Sequence, residues 1–246
     1  MNFHSCPIAN FSQTEQVGGY WLIKLILPVE PLEEKYFDMG TAFCFDPSQS
    51  NLRLFAQQTS GQDNLELLLL SPAKIEETTP LNQLFFKQPQ NPNIVLDNKK
   101  IRTKNQLILG SNLQMATAFY LVKNSQPQST KNYRLTLLHS SQSFPFMPKP
   151  AQQMVFGLPA EAIGSSSLLE DWQCTNRLAS DLGLPGCYDG SITELLSHWI
   201  ESQTNQVSEP EAWQIIACLS TDNYQQCLAV CQDQSWIDLV PIHYAN

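Results

Sequence analysis

Glycine is scarce in this chain, with ten among 246 residues, well under the usual share of about 7%. Loops that bring bare backbone up to a phosphate depend on glycine, so such cradles are not expected in number. Cations are nearly missing from the second part of the chain. After Lys149 only Arg177 stands against twelve carboxylates, whereas the part up to Lys149 carries thirteen cations and eleven carboxylates. An acidic half of this kind repels a nucleic-acid backbone, which argues against nucleic acid as a partner. It reads either as solvated helix faces or as a surface that meets a basic protein. No pair among the seven cysteines has the C-x2-C spacing of a zinc or redox site, so reduced thiols and no metal are expected. The longest early apolar run, Tyr20 to Leu27, is short and broken by Lys24. Neither a signal peptide nor a membrane span is therefore expected, and the expected location is the cytoplasm. His4, His139, His198 and His243 are scattered and no G-x-S-x-G elbow occurs, which sets aside a hydrolase.

What is present is a hydrophobic share of 42%, enough for a sizeable core. From Tyr20 to Asp97 short β-rich runs alternate with turn residues: YWLIKLIL, TAFCF, LRLFA, LELLLL, LFF and NIVL. Prolines fall between the runs, where a missing N–H costs least. This predicts a small antiparallel barrel over residues 1–100. After Asn105 the rhythm becomes strand, helix, strand, helix: QLILG, a helix from Leu113 to Lys123, YRLTLLH and then MVFG. Helices over Leu168 to Leu182 and Ile192 to Ser202, the strand WQIIACL, a helix over Asp222 to Asp233 and the strand WIDLVPI complete the pattern. Such alternation predicts a parallel sheet covered on both faces, in a Rossmann-like α/β domain over residues 101–246. The two domains are joined near residues 97 to 105. Thr221 and Asp222 are placed to cap one helix, and Ser191 with Glu194 forms a capping box for another. The proline-bearing stretch Ser140 to Gln153 reads as a loop within the sheet. The basic run Lys99 to Lys104 reads as a solvated connector.

Several local patterns carry chemistry. Arg53, Leu54, Phe55 and Ala56 form a cation followed by an apolar and aromatic patch. IEETTPLNQL carries Thr78, Leu81 and Leu84 behind Ile75 and Glu77. Gly110 and Ala116 flank a strand-to-helix turn made of Ser111, Asn112, Leu113 and Gln114. Cys218 ends the strand WQIIAC, and GCYDGSITELLSHWI sets a glycine before a helix. In this order the patterns resemble those of the ferredoxin reductase-like flavoprotein family, nearest the electron-transfer subunit of dihydroorotate dehydrogenase. The likeness spans nearly the whole chain.

The resemblance implies an N-terminal barrel that holds FAD or FMN and a C-terminal Rossmann-like domain that holds NADH, with hydride passing from nicotinamide to flavin. It places Arg53 at the flavin phosphates, Phe55 and Ala56 at the flavin, and Thr78 and Thr79 in the phosphate turn. Gly110 and Ser111 then face the dinucleotide, and Cys218 puts a thiol near nicotinamide as the catalytic candidate. The acidic second half offers little to the extra phosphate of NADP. Cys227 and Cys231 read as amphipathic core positions, and no iron–sulfur cluster is expected. Taken bare, Arg53 also reads as an edge-strand arginine, Gly110 as a turn with no ligand, Cys218 as a buried thiol and His198 as a half-buried, hydrogen-bonded histidine. The leading expectation is a flavin- or nicotinamide-linked oxidoreductase or electron-transfer component. The alternative is a degenerate member that serves as a non-catalytic binding or regulatory subunit. Either would meet a redox or regulatory protein through its acidic C-terminal domain.

Overall fold

The structure, a computed structural model, describes residues 3–28, 37–46, 52–60, 63–76, 78–89, 105–124, 133–206 and 211–244. The chain divides into two compact units, Met1–Asn93 with His243–Asn246, and Ile94–Ile242. The expected strand NIVL, the basic run Lys99 to Lys104 and Glu77 lie outside the described residues, as does nearly all of the junction expected near 97 to 105.

Among the described residues of the first unit seven strands form two antiparallel, barrel-like sheets. They are β1 (His4–Pro7), β2 (Asn10–Glu15), β3 (Trp21–Pro28), β4 (Ala42–Cys44), β5 (Arg53–Ser60), β6 (Asn64–Ser71) and β7 (Gln83–Lys87). One sheet runs β2-β3-β6-β5 and the other β1-β7-β4, with a bridge between Phe43 and Leu52 where β4 meets the approach to β5. Period-two alternation builds the first sheet: Ile23, Leu25 and Leu27 on β3 and Leu65, Leu67 and Leu69 on β6 are fully buried. Each such side chain contributes about 1.5–3 kcal/mol over its exposed state. The turn from β2 to β3 uses Gly18 and Gly19 at φ 72° and 79°, a conformation that side chains resist. Strands β1 and β2 escape the sequence pattern because their exposed and half-exposed residues, such as Ser12, Gln13 and Thr14, are largely polar.

The second unit holds β8 (Asn105–Ser111), α1 (Met115–Asn124), β9 (Arg134–Ser140), β10 (Lys149–Pro150), β11 (Gly164–Ser165), α2 (Ser167–Asp171), β12 (Thr175–Ser180), β13 (Tyr188–Asp189), α3 (Ile192–Gln206), β14 (Trp213–Cys218), α4 (Thr221–Cys231) and β15 (Ile237–Pro241). Its main sheet has six strands in the order β13-β12-β9-β8-β14-β15, and every neighbouring pair is parallel. Leu107, Leu109, Leu135 and Leu137 face α3 and α4 in one core cluster with Leu195, Leu196, Trp199, Cys227 and Cys231. The intervening Gly110 and Leu138 meet on the α1 side. Two covered faces explain why β9 and β12 are buried along their whole lengths.

Three expectations are corrected. Leu168 to Leu182 is not one helix: α2 ends at Asp171, Gln173 turns at φ 58°, and β12 follows. Its polar residues look solvated in sequence but are internal, for Asn176 bonds Ser166 N and O, and Arg177 donates to the Asn176 and Gln153 carbonyls. MVFG makes no sheet pairing. It belongs to a loop in which Val155 and Leu158 pack on the core while Met154 and Phe156 are 80% and 74% exposed. Helix α4 is capped by Ser220, whose Oγ accepts from Asn223 N, rather than by Thr221 or Asp222.

Candidate functional site

In the first unit the motif residues share β5. Its register with β6 steps between Leu54 and Ala56, leaving Phe55 as the extra residue of a bulge. A bulge re-aims its side chain and frees it from the regular alternation. Ala56 is buried and Phe55 half-buried. Arg53 is also half-buried: Nη1 donates to Leu52 O at 3.2 Å, and the guanidinium lies 5.3 Å from the Tyr244 ring centroid. Burial pushes the guanidinium down from its ordinary value, opposed by the nearby Tyr244. Its Nε is buried and finds no acceptor among the described residues, a costly state for a charged donor.

The loop between β6 and β7 brings Thr78 and Thr79 to a cavity of about 440 Å3, whose other walls include Cys44, Leu52 and Lys74. Leu52 adjoins Arg53 in the chain. Cys44 is buried, and burial first and Asp46 second push its thiol up to about 11, so it stays protonated near neutral pH. Asp46 and Glu76 also line the cavity. Lys74, Thr78 and Thr79 offer donors to the cavity, while Asp46 and Glu76 set two carboxylates against its single ammonium, a lining that opposes an anionic phosphate ester.

In the second unit the strand order reverses between β8 and β14. Gly110 and Cys218 are register partners there, at the carboxyl ends of adjacent parallel strands. In open α/β sheets this reversal point is where ligands settle. Gly110, however, answers to packing. A Cβ there would lie 2.9 Å from Ala118 Cβ, 3.0 Å from Leu138 Cδ2 and 3.1 Å from Met115 Cα, so the missing side chain lets α1 close on the sheet. Ser111 is fully buried and its Oγ accepts from Asn223 Nδ2 at 3.2 Å. Asn112, at φ 48°, accepts through Oδ1 from Ser141 N at 2.9 Å and Ser141 Oγ at 3.0 Å. Cys218 is fully buried. The first turn of α1 and the 3-10 turn Asn112–Gln114 before it contain no carboxylate, which leaves the positive end of the helix compatible with a nucleotide phosphate.

Sequence reading named Arg53, Phe55, Ala56, Thr78 and Thr79, and the structure sets the first three on one strand and the two threonines in one cavity wall. It missed Gln13, Lys74, Asn112 and Asn223, whose partners are remote in sequence. It also missed the pair of His139 Nε2, near the carboxyl end of β9, and Asp181 Oδ1, just past β12, 2.9 Å apart. His198 is exposed rather than half-buried, with Nε2 3.2 Å from Tyr188 Oη. Among the described residues no cluster of His, Cys, Asp or Glu could hold a metal ion, and no helix is long and apolar enough to cross a membrane.

No family model and no curated protein matches the chain in sequence. Solved structures do match in shape. A cytochrome P450 reductase from Amycolatopsis aligns at TM-score 0.61 and 9% identity, over 96% of this chain and 69% of that one. The ferredoxin-NADP+ reductase of Plasmodium falciparum aligns at 0.51 and 10%, over 98% and 97%. The flavohemoglobin of Malassezia yamatoensis, solved with bound FAD and heme, aligns at 0.51 and 8% over 98% of this chain, which spans 60% of that one. At such identities the likeness is one of fold: barrel-like antiparallel sheets followed by a parallel six-stranded sheet with helices, the two-part fold of ferredoxin reductase-like flavoproteins.

Proposed function

We propose that the chain is a flavin- and NADH-linked oxidoreductase or electron-transfer component of ferredoxin reductase type. The observation that carries the reading is Arg53, a half-buried cation whose Nε finds no acceptor among the described residues, beside the bulged Phe55 on the strand where the resembled family binds flavin phosphate. FAD or FMN, when bound, would supply hydride acceptance from nicotinamide and onward electron release. Arg53 would hold its phosphate, with Thr78 and Thr79 as hydroxyl donors set against the carboxylates of Asp46 and Glu76, and Phe55 and Ala56 would offer the ring an apolar wall. In the second unit NADH would lie where the strand order reverses, with Gly110 and Ser111 forming the turn there and Cys218 buried beside Gly110 in the sheet. The acidic second half, with one arginine after Lys149, supports NADH over NADPH and a basic redox or regulatory protein as partner. The matches at Thr78, Leu81 and Leu84 support kinship with the electron-transfer subunit of dihydroorotate dehydrogenase, the change of rhythm after Asn105 supports a functional boundary near residue 100, and thiols without C-x2-C spacing support a cytoplasmic setting.

The test is direct. Purified protein, as isolated or after addition of FMN or FAD, should show visible flavin absorbance that bleaches on addition of NADH. Arg53→Ala should weaken flavin binding about 10- to 100-fold through loss of a charged hydrogen-bond donor. A colourless protein that takes up no flavin and binds no NADH would overturn the reading.

A further inference from the structure

The loop of residues 151–163, between β10 and β11, is fastened to its surroundings along its length. Arg177 Nη2 donates to Gln153 O, and Thr175 Oγ1 donates to Gln153 Oε1 at 2.7 Å. Gln152 N donates to Glu170 Oε1 at 2.9 Å, and Ala151 N donates to Ile163 O at 2.8 Å. Val155 and Leu158 pack on the core, and Gly157, at φ 86°, lies so close to α3 that a Cβ there would strike Ser202 Oγ. Yet this fixed loop turns Met154, Phe156 and Ile163 outward, at 80%, 74% and 55% exposure. Large apolar side chains gathered in water on one anchored loop are unfavourable for an isolated chain and mark a contact surface.

The same surface is acidic. Glu161 lies on the loop, and Gly164 N donates to Gly186 O at 2.6 Å, which sets the end of the loop against the approach to β13. There burial first, then Glu194, Glu161 and Asp189, hold the Tyr188 phenol above its ordinary value, so three carboxylates gather about one ring. All three are exposed, and none pairs with a lysine or arginine among the described residues. Arg177, the single lysine or arginine after Lys149, is itself buried. Carboxylates left unneutralised beside apolar side chains repel a second acidic copy of this chain and an anionic lipid surface, and they attract cations.

We propose that this loop, with Glu161, Asp189 and Glu194, is a docking surface for a basic, amphipathic protein segment, whose apolar residues cover Met154, Phe156 and Ile163 and whose cations meet the carboxylates. The proposal rests on the reading of a basic protein partner above and is independent of flavin binding. A loop fixed before contact loses little freedom on binding, and methionine adapts its shape to what covers it.

The experiment titrates the full chain with fluorescein-labelled helical peptides and reads dissociation constants from anisotropy. One peptide has leucine on one face and lysine on the other, a second has serine in place of leucine, and a third has glutamate in place of lysine. The leucine–lysine peptide should bind tightest, and added salt should weaken it. Met154→Ser with Phe156→Ser should weaken that peptide about tenfold and the serine–lysine peptide less than about twofold. Glu161→Gln with Asp189→Asn, which leaves the Glu194 cap intact, should weaken both lysine peptides about tenfold and flatten their salt dependence. Asp222→Asn with Asp233→Asn, at the start of α4 and just past its end, removes the same charge elsewhere and should change either affinity less than about twofold. Each substituted position is exposed, and an unchanged melting temperature confirms that each variant folds. Equal weakening by the two carboxylate pairs would reduce the effect to net charge and overturn the surface while sparing the basic-partner reading, as would a leucine–lysine peptide indifferent to Met154 and Phe156. A wild-type chain that binds neither lysine peptide sinks both. Self-association, or binding to phosphatidylcholine vesicles, that is abolished by the Met154 and Phe156 changes would give the loop a different occupant and overturn the proposal.

Discussion

Gly110 owes its missing side chain to its neighbours. Ala118, Leu138 and Met115 occupy the space a Cβ would need. Gly110→Ala should therefore destabilise by about 1–3 kcal/mol through overpacking, read as a lowered denaturation midpoint. Unchanged stability with lost nucleotide binding would instead make it a ligand contact. The seven cysteines show the same gap between residue type and setting. All are buried, and burial pushes Cys6 and Cys231 up to about 12 and Cys187 up to about 11. A thiol held protonated is a poor nucleophile, so native protein at pH 8 should react slowly with a disulfide reagent, and seven thiols should appear in denaturant. Rapid labelling of any one of them in the native state would contradict this burial. Arg53 was readable from its motif, because a cation before an apolar pair is a local pattern. Gln13 was not, because nothing near it in sequence marks its partner at Ile75.

At the scale of elements, boundaries set by local chemistry were readable and those set by burial were not. The capping box of α3 follows from spacing alone. Ser191 N and Oγ donate to Glu194 Oε2 at 2.7 and 2.9 Å, and Glu194 N donates to Ser191 Oγ at 3.2 Å. The backbone hydrogen bond from Ser191, then the one from its side chain, holds the Glu194 carboxyl below its ordinary value of 4.5. A lowered carboxylate contributes stability that is complete above the ordinary value and fades as pH falls through the lowered one. Glu194→Ala should thus cost about 0.3–1 kcal/mol at pH 7, at the lower end because the group is exposed, and nothing once the pH is below its lowered value. Denaturant midpoints of both proteins across pH 2 to 7 check this, and a gap that persists under acid would remove the charge from the explanation. Strand β12 shows the opposite case. Its Thr, Asn and Arg residues suggest a solvated helix face, yet they lie inside the unit because Ser166 and Gln153 are there to receive them.

At the scale of the molecule, the cluster beneath the parallel sheet draws on β8, β9, β14, α3 and α4. Trp199 is its centre, with ring centroids 4.8 Å from Trp213 and 5.7 Å from Trp236. Every member lies in the second unit, so a fragment of residues 105–242 should unfold cooperatively on heating. Trp199→Ala should cost that fragment about 3–5 kcal/mol. A broad, non-cooperative melt of the fragment would show that the unit depends on the rest of the chain.

By itself the sequence determined the class and order of the two units, since period-two apolar runs and then strand–helix alternation are properties of neighbouring residues. It also determined the acidic character of the second half, because charge is a sum over side chains whatever their position. Only the tertiary structure decided that Phe55 is bulged, that Gly110 serves packing, that Arg53 Nε finds no acceptor among the described residues, and that Gln13 holds Ile75. Each of these depends on groups brought together across dozens of residues, and a contact at that separation leaves no periodic trace in the chain that makes it.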